Sequence, residues 1–515
     1  MARTDGQSRI GTATRADGGK GEHWLHTLLA VAVWLAIWQV AAWAVGSDLL
    51  LAGPLETVAA LIGLAGDGVF WTRVGWSFVR IAGGFVLAFA CALLLAHLSW
   101  RHAAFGTFLR PALSSIKSTP VVCIVVMLLI WFGSRWVSAV SVFLVVLPAM
   151  YFSALEGLRS LDAERLNMLR LFGVPRSRQF GAYVWPQVQP FLFATSKMVV
   201  GMSWKAGVAA ELIGAPVGSI GERIYQAKVL LETSQVFAWT IVIVAAAYAC
   251  ERVFLWLLGR SAAWSVRHAL DSAAGEGRPQ GVNVAYRNPA SQEVSADCEF
   301  PVERGTVPRA VSVRHVSKSF GDRELYANLT HDFAAGSRTC VMAPSGSGKT
   351  TLLRMVAGLE QPDAGEVTLP KESSPDAGVP TTGEDLLRSG IVSMAYQSTC
   401  LLESLTAAEN VVLVARLTST NAHSLLAEVL PEDVLDKPVS ELSGGERRRV
   451  ELVRALAAPS SVVLLDEPFS SLDEETHAIC TRFVLIHQAG RTLLVATHDA
   501  TDATLLDAEI LGLQP

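Results

Sequence analysis

The chain has 515 residues, of which 51% are hydrophobic and only 17% charged, with a mean hydropathy of +0.37. Soluble domains carry about 25% charged residues, so this balance excludes an ordinary soluble enzyme, and the apolar content excludes a disordered chain. The net charge of −5 is unevenly divided: up to residue 270 there are 22 Lys and Arg against 13 Asp and Glu, and beyond it 20 against 34. A basic, apolar first half and an acidic, more polar second half are expected to be separate domains. The seven cysteines form no CxxC pair, so neither a disulfide framework nor a zinc site is expected, and the polar half suits a reducing cytosol.

Residues 1–23 are polar and Gly/Ser/Thr-rich, with Arg3, Arg9, Arg15 and Lys20, and are expected to form a cytoplasmic tail. From Trp24 to Val45 no formal charge occurs, a run long enough to cross a bilayer and too long for a signal-peptide core. Further apolar stretches at 78–98, 113–132, 137–155, 190–213 and 236–258 predict about six transmembrane helices over 24–270. Within 156–189, Arg159, Arg165, Arg170, Arg176 and Arg178 outnumber Glu156, Asp162 and Glu164, whereas the stretch after the first span carries Asp48, Glu56 and Asp67. The positive-inside rule therefore places both the N-terminus and the polar half in the cytoplasm.

Residues 271–309 have a Ser/Gly/Pro/Asn-rich linker composition. Over 310–515, β-branched runs at 310–316, 338–342, 391–396, 461–465 and 492–497 alternate with helical patterns, predicting an α/β domain with a mainly parallel sheet.

The stretch Ala343-Pro344-Ser345-Gly346-Ser347-Gly348-Lys349-Thr350-Thr351 follows one of these runs and opens the helical pattern 352–359. That is the context of a P-loop. Its glycines let backbone N–H groups wrap phosphates, Lys349 reaches the outer phosphates, and the Thr350 hydroxyl can take a Mg²⁺ position. Ala343 stands where the motif has its first glycine. The run 461–465 ends in Asp466-Glu467-Pro468, which places one carboxylate for Mg²⁺ and the next as general base for an attacking water.

Leu442-Ser443-Gly444-Gly445-Glu446 resembles the LSGGQ signature of the ATP-binding-cassette family, with Glu446 in place of Gln. The resemblance extends in order along the chain. Phe320 falls where the family stacks an aromatic on adenine, Gln397 at the Q-loop, Ser470-Ser471-Leu472-Asp473 at the D-loop and His498 at the switch histidine. It implies ATP and Mg²⁺ as cofactors. Glu467, His498 and Gln397 would be catalytic, and Thr350, Gln397 and Asp466 would hold the metal. Phe320, the loop residues 343–351, Ser443, Gly444, Gly445 and Asp473 would bind nucleotide. It also implies a homodimer, because the family closes the signature of one cassette over the P-loop of another, and this chain carries one set of motifs.

In the first half, Leu161–Gly173 is amphipathic at helical spacing, with Leu161, Leu169 and Phe172 on one side and Asp162, Arg165 and Arg170 on the other. With the close at Val184-Trp185-Pro186, the segment 160–186 resembles the coupling loop of binding-protein-dependent importer permeases, although Asn167-Met168-Leu169 replaces their Glu-Ala-Ala core. Leu129-Ile130-Trp131-Phe132-Gly133 and the stretch 203–214 resemble the nitrate/sulfonate/taurine group. The resemblance implies ATP-driven uptake of a small, anionic solute handed over by an external binding protein, in a prokaryotic plasma membrane and without nucleic-acid partners. An exporter, or a membrane-anchored ATPase that remodels without transport, is the alternative. Lys205 and Glu211 are ionisable groups in an apolar run, expected to face an aqueous path or to pair.

Overall fold

Among the described residues, helices alone build the chain as far as Glu276, and the first strand starts at Val311. The computed structural model describes residues 19–47, 49–276, 307–321, 323–344, 346–369, 386–387, 389–470 and 472–513. Most of the expected tail and linker, together with Asp48, Ser345 and Ser471, lie outside them. The backbone packs as two units, Met1–Glu156 with Phe191–Leu257, and Gly157–Pro190 with Leu258–Pro515. The units do not follow chain order: the segment 157–190 belongs with the C-terminal half.

In the first unit, four helices among the described residues are long and apolar enough to cross a membrane: His26–Val45, Gly68–Arg101, Val121–Arg159 and Thr233–Gly275. The expected stretches map onto the helices as follows. The expected span 113–132 is cut, because the helix Ala103–Ser118 stops before Thr119-Pro120 and a new one starts at Val121. Proline pushes the preceding residue out of helical conformation, and Thr119 is extended at φ −80°, ψ 128°. The new helix then carries the expected fourth span as well, interrupted at Gly133, whose φ of 66° and ψ of 177° suit glycine alone. The expected span 190–213 lies in Trp185–Gly214, a continuous helix made polar by Lys197, Lys205 and Glu211. Helices approach closely where small residues allow it. A Cβ on Gly84 would sit 2.4 Å from the Ala139 carbonyl oxygen.

The C-terminal unit contains two sheets. Strands β1 (Val311–Phe320), β2 (Arg323–Phe333) and β4 (Ala364–Thr368) form an antiparallel sheet in the order β2-β1-β4. Strands β3 (Arg338–Met342), β5 (Val392–Ala395), β6 (Val462–Asp466), β7 (Thr492–Thr497) and β8 (Glu509–Gly512) form a parallel sheet in the order β5-β6-β7-β3-β8. The run 310–316 thus belongs to the antiparallel sheet and not to the parallel one. Every residue of β5, β6 and β7 is buried, which is why these strands read as unbroken apolar runs.

The segment 157–190 packs within this second unit. Asp162 caps the helix Ala163–Leu171 by accepting the Glu164 N–H at 2.8 Å, and Gly173, at φ 64°, ends it. Leu166, Met168, Leu169, Leu171 and Phe172 are buried in one core with Leu386, Tyr396, Cys400 and Leu405. The polar side makes ion pairs, Arg165 to Glu403 and Glu164 to Arg354 at 3.3 Å. Val184-Trp185-Pro186 does not close the segment as expected. A π-helical turn, Phe180–Val184, runs directly into the helix Trp185–Gly214. Its looser hydrogen bonding accommodates a proline that has no N–H to donate.

Candidate functional site

Strands β5, β6, β7 and β3 lie side by side, and each ends, on the same edge of the sheet, at one of the motifs. In open α/β sheets the carboxyl ends of parallel strands are where ligands bind. After β3, Gly346 and Gly348 adopt left-handed backbone conformations at φ 80° and 100°. The second cannot be replaced freely, because a Cβ there would stand 2.5 Å from the Tyr326 hydroxyl, which donates to the Gly348 carbonyl. Arg323 Nη2 donates to the Gly346 carbonyl at 2.8 Å. β2 therefore braces the loop from outside. Lys349 opens the helix Lys349–Val356, which starts and ends three residues earlier than the expected 352–359 pattern. Its buried Nζ donates to the Ala343 carbonyl at 2.6 Å and to the Pro344 carbonyl at 3.4 Å. The residue in place of the motif's first glycine thus contributes its backbone oxygen, which alanine supplies as well as glycine.

β6 delivers Asp466, only 1% exposed, with neither carboxylate oxygen hydrogen-bonded. Burial raises its pKa to about 6, and the Glu467 charge adds to the shift. Thr350, Arg448 and Lys349 oppose it, the Thr350 hydroxyl lying near the carboxylate but outside hydrogen-bond geometry. Leaving two buried acceptors unsatisfied is costly. Hard oxygen donors beside a threonine hydroxyl and a phosphate-type loop fit Mg²⁺, which is held by one or two carboxylates together with substrate phosphates. Glu467 follows in a left-handed conformation at φ 47°, a strained state for a residue with a Cβ. Its N–H donates to the Ala496 carbonyl at 2.9 Å, fixing it against β7.

That conformation points Glu467 toward two other expected residues. Gln397, just past β5, has Nε2 3.5 Å from Glu467 Oε2, and His498, just past β7, has Nδ1 3.8 Å from Glu467 Oε1. His498 is 63% exposed, whereas the Glu467 side chain is 17% exposed, so the histidine is free to meet a ligand from solvent. The loop that carries it is tied down by Thr497, whose hydroxyl donates to Asp502 and accepts the Asp499 N–H. Asp502 in turn pairs with His477 at 2.7 Å.

The Ser443 motif opens the helix Gly444–Ala457, which packs on β5 and β6. Ser443 and Glu446 form a capping box: the Ser443 N–H and hydroxyl donate to Glu446 Oε2 at 2.7 and 2.8 Å, and Ser443 Oγ accepts the Glu446 N–H at 3.3 Å. These bonds hold the Glu446 carboxyl below its ordinary range. The substitution for Gln therefore serves as a helix cap. Gly444 and Gly445 have open space where a side chain would project. Asp473 caps the helix Glu474–His487 through Thr476, accepting its N–H at 2.8 Å and its hydroxyl at 2.9 Å. Phe320 ends β1 half-exposed, with Lys318 Nζ 5.1 Å from its ring centroid, and offers a free aromatic face.

Sequence reasoning missed Arg323 and Tyr326 because it missed β2. Leu325, Leu329 and Phe333 are spaced by four, a helical period, and register shifts against β1 blur the strand alternation. It also missed Arg448, which donates to the Tyr396 carbonyl at 2.7 Å and to Ser470 Oγ at 3.2 Å. Its only signal was its place in the run Arg447-Arg448-Arg449.

In the membrane unit, Glu211 is fully buried. It accepts from Ser77 Oγ at 2.8 Å and from the Gly221 N–H at 3.3 Å, with Arg80 Nη1 4.0 Å away. Lys205 is exposed and has no acidic partner among the described residues.

Residues 326–470 match the family model for ABC transporters, and residues 68–262 match that for the inner-membrane component of binding-protein-dependent transport systems. The Fe(3+) ions import ATP-binding protein of Pseudomonas fluorescens is 37% identical over 201 residues, 38% of this chain and 56% of that one, so the chain spans little more than half of that relative's length. An aliphatic sulfonates import ATP-binding protein of Rhodococcus jostii is 36% identical over 211 residues, 40% of this chain and 72% of its own. Another, from Paraburkholderia xenovorans, is 34% identical over 242 residues, 45% of this chain and 87% of its own. With a permease-type region of apolar helices and an α/β cassette in one polypeptide, this is a multi-pass inner-membrane protein whose cassette lies in the cytoplasm. The chain belongs to the ATP-binding-cassette transporter family.

Proposed function

We propose that the chain is a fused half-transporter in which residues 24–270 form the permease, 271–309 the linker and 310–515 the cassette. Two copies take up a small anionic solute from an external binding protein. The observation that carries the catalytic reading is the convergence of Gln397, Glu467 and His498 beside Asp466 and the P-loop, on one sheet edge. Lys349 and the loop N–H groups bind the outer phosphates, the Phe320 face takes the adenine, and Glu467 accepts the proton of the attacking water. Gln397 and His498 orient that water and the terminal phosphate. Thr350, Asp466 and Gln397 would hold Mg²⁺, which would supply neutralisation of the phosphate charge. Ser345 and Ser471, outside the described residues, complete the P-loop and the D-loop.

Ser443, Gly444 and Gly445 stand at an open helix N-terminus on the β5/β6 side of the sheet, whereas the P-loop follows β3, beyond β7. One chain's signature therefore serves its partner's nucleotide, and the assembly is a homodimer with two equivalent sites. The names of the relatives, all import systems, support uptake over export.

Lys205 supports an anionic solute. Glu211 is occupied by Ser77, Gly221 and the nearby Arg80, so the lysine is left to balance its charge against something else. The test is uptake of labelled taurine, alkanesulfonate, nitrate and sulfate by host cells whose sole copy is wild type, Lys205→Met or Lys205→Arg. Uptake that is lost with methionine and kept with arginine, at equal ATPase assembly, is expected. Full transport by Lys205→Met removes the charge from the pathway.

A further inference from the structure

The helix Gly444–Ala457 carries, one turn apart, two charges that hydrolysis does not use. Glu451 and Arg454 have no exposed surface, and Arg454 Nη2 lies 3.0 Å from Glu451 Oε1. Their remaining bonds go to one short stretch of backbone. Glu451 accepts the Tyr396 N–H at 3.2 Å and the Cys400 N–H at 3.2 Å on both oxygens, and Arg454 Nη1 donates to the Cys400 carbonyl at 2.7 Å. The loop containing Gln397 is thus held at both ends by one ion pair, and Arg448 of the same helix adds its bond to the Tyr396 carbonyl. On its other side the Arg454 guanidinium lies 5.2 Å from the ring centroid of Phe172, at the end of the helix Ala163–Leu171.

Burying a carboxylate and a guanidinium is a poor way to gain stability, because well-packed apolar residues of the same volume do as well or better. Such pairs are best attested as devices that fix register. Here the register fixed is that of Gln397, whose amide reaches Glu467. We propose that Glu451 and Arg454 are positioning residues that lock the Gln397 loop to Phe172, so that a displacement of segment 160–186 shifts Gln397 relative to Glu467. This rests on the reading of Gln397 and Glu467 given above. It places the link between that segment and hydrolysis in one buried ion pair.

The test uses the full-length chain in proteoliposomes, with Mg²⁺ and ATP as the only added ligands. Glu451→Gln, which keeps the shape and removes the charge, lowers kcat about 10-fold and leaves KM for ATP within about twofold, the pattern of lost positioning and not of lost binding. Phe172→Leu keeps an apolar side chain in the core and lowers kcat in the same sense, while Phe172→Tyr restores it. In Arg454→Met background Phe172→Leu has no further effect, because the contact it removes is already gone. Hydrogen exchange gives an independent readout. Phe172→Leu speeds exchange of peptide 396–402 while leaving β6 and β7 protected. Unchanged exchange of that peptide in Phe172→Leu, or additive effects of Phe172→Leu and Arg454→Met, overturns the proposal. If instead the loop loosens as stated while Glu467→Gln still hydrolyses ATP, the reading of the nucleotide site is what fails.

Discussion

Asp466 and Glu211 are both carboxylates shielded from solvent, and the two halves of the chain treat them differently. Asp466 ends a strand at the open edge of the parallel sheet, with neither oxygen hydrogen-bonded. Glu211 sits inside a helical bundle with a serine hydroxyl and a backbone N–H on one oxygen and an arginine 4.0 Å from the other. Both Asp466 oxygens lack a hydrogen bond, a cost tolerated where a ligand completes them, whereas at Glu211 only Oε1 lacks one and Oε2 is bonded into the scaffold. The comparison separates a carboxylate at a candidate ligand position from a polar joint that holds helices together. It also frees Lys205 from the pairing that its spacing from Glu211 left open.

The largest effect expected from breaking this contrast is at Asp466. Asp466→Asn reduces ATP hydrolysis by about 100-fold or more, as loss of a transition-state charge partner does, while the melting temperature holds or rises. Glu211→Ala does the reverse. It strands the Ser77 hydroxyl and Arg80, costs about 3 kcal/mol of stability, and leaves the cassette's ATP binding unchanged. Thermal melts and steady-state ATPase on the same preparations check both, and a melting loss at Asp466 equal to that at Glu211 dissolves the distinction.

A second prediction concerns assembly. Chains with Lys349→Ala lose nucleotide binding and chains with Ser443→Arg lose the signature. Mixed dimers should recover one intact site and about half of wild-type hydrolysis per site pair, since the two defects then fall on the same composite site. Mixed dimers no more active than either parent contradict a shared site.

The smallest effect is expected at Glu446. Glu446→Ala removes one half of the capping box and costs about 1 kcal/mol, whereas Glu446→Gln costs less and leaves turnover within about twofold of wild type. Because the folded carboxyl titrates below its unfolded value of 4.5, the cap's charged contribution is present above that pH. It is lost as pH falls through the folded value, a loss that Glu446→Gln should not show in acid-unfolding curves.

The placement of the cassette's candidate residues was legible because the motifs follow strand ends at fixed places, and strands buried on both faces are unbroken apolar runs. The run 461–465 announced Asp466 in this way, and 492–497 announced His498. What stayed hidden depended on contacts between distant segments. The brace of Tyr326 and Arg323 on the P-loop comes from a strand whose apolar spacing imitates a helix. The cap role of Glu446 becomes visible only when Ser443 is seen to start a helix. The membrane half was less legible, because apolar runs give length but not continuity: Pro120 divided the expected span 113–132, whose remainder shares the 39-residue stretch Val121–Arg159, kinked at Gly133, with the expected span 137–155. The clamp on Cys400 by Glu451 and Arg454, more than fifty positions along the chain, left no local trace.

The central claim is that Glu467, held by Gln397 and His498 at the sheet edge, is the base for ATP hydrolysis. It is tested most directly by purifying Glu467→Gln protein and measuring nucleotide binding and hydrolysis together. The account predicts ATP binding within about twofold of wild type and hydrolysis reduced by about 100-fold or more, within the range that general-base removal produces, with ATP trapped in a closed dimer. Near-normal hydrolysis by Glu467→Gln would contradict it.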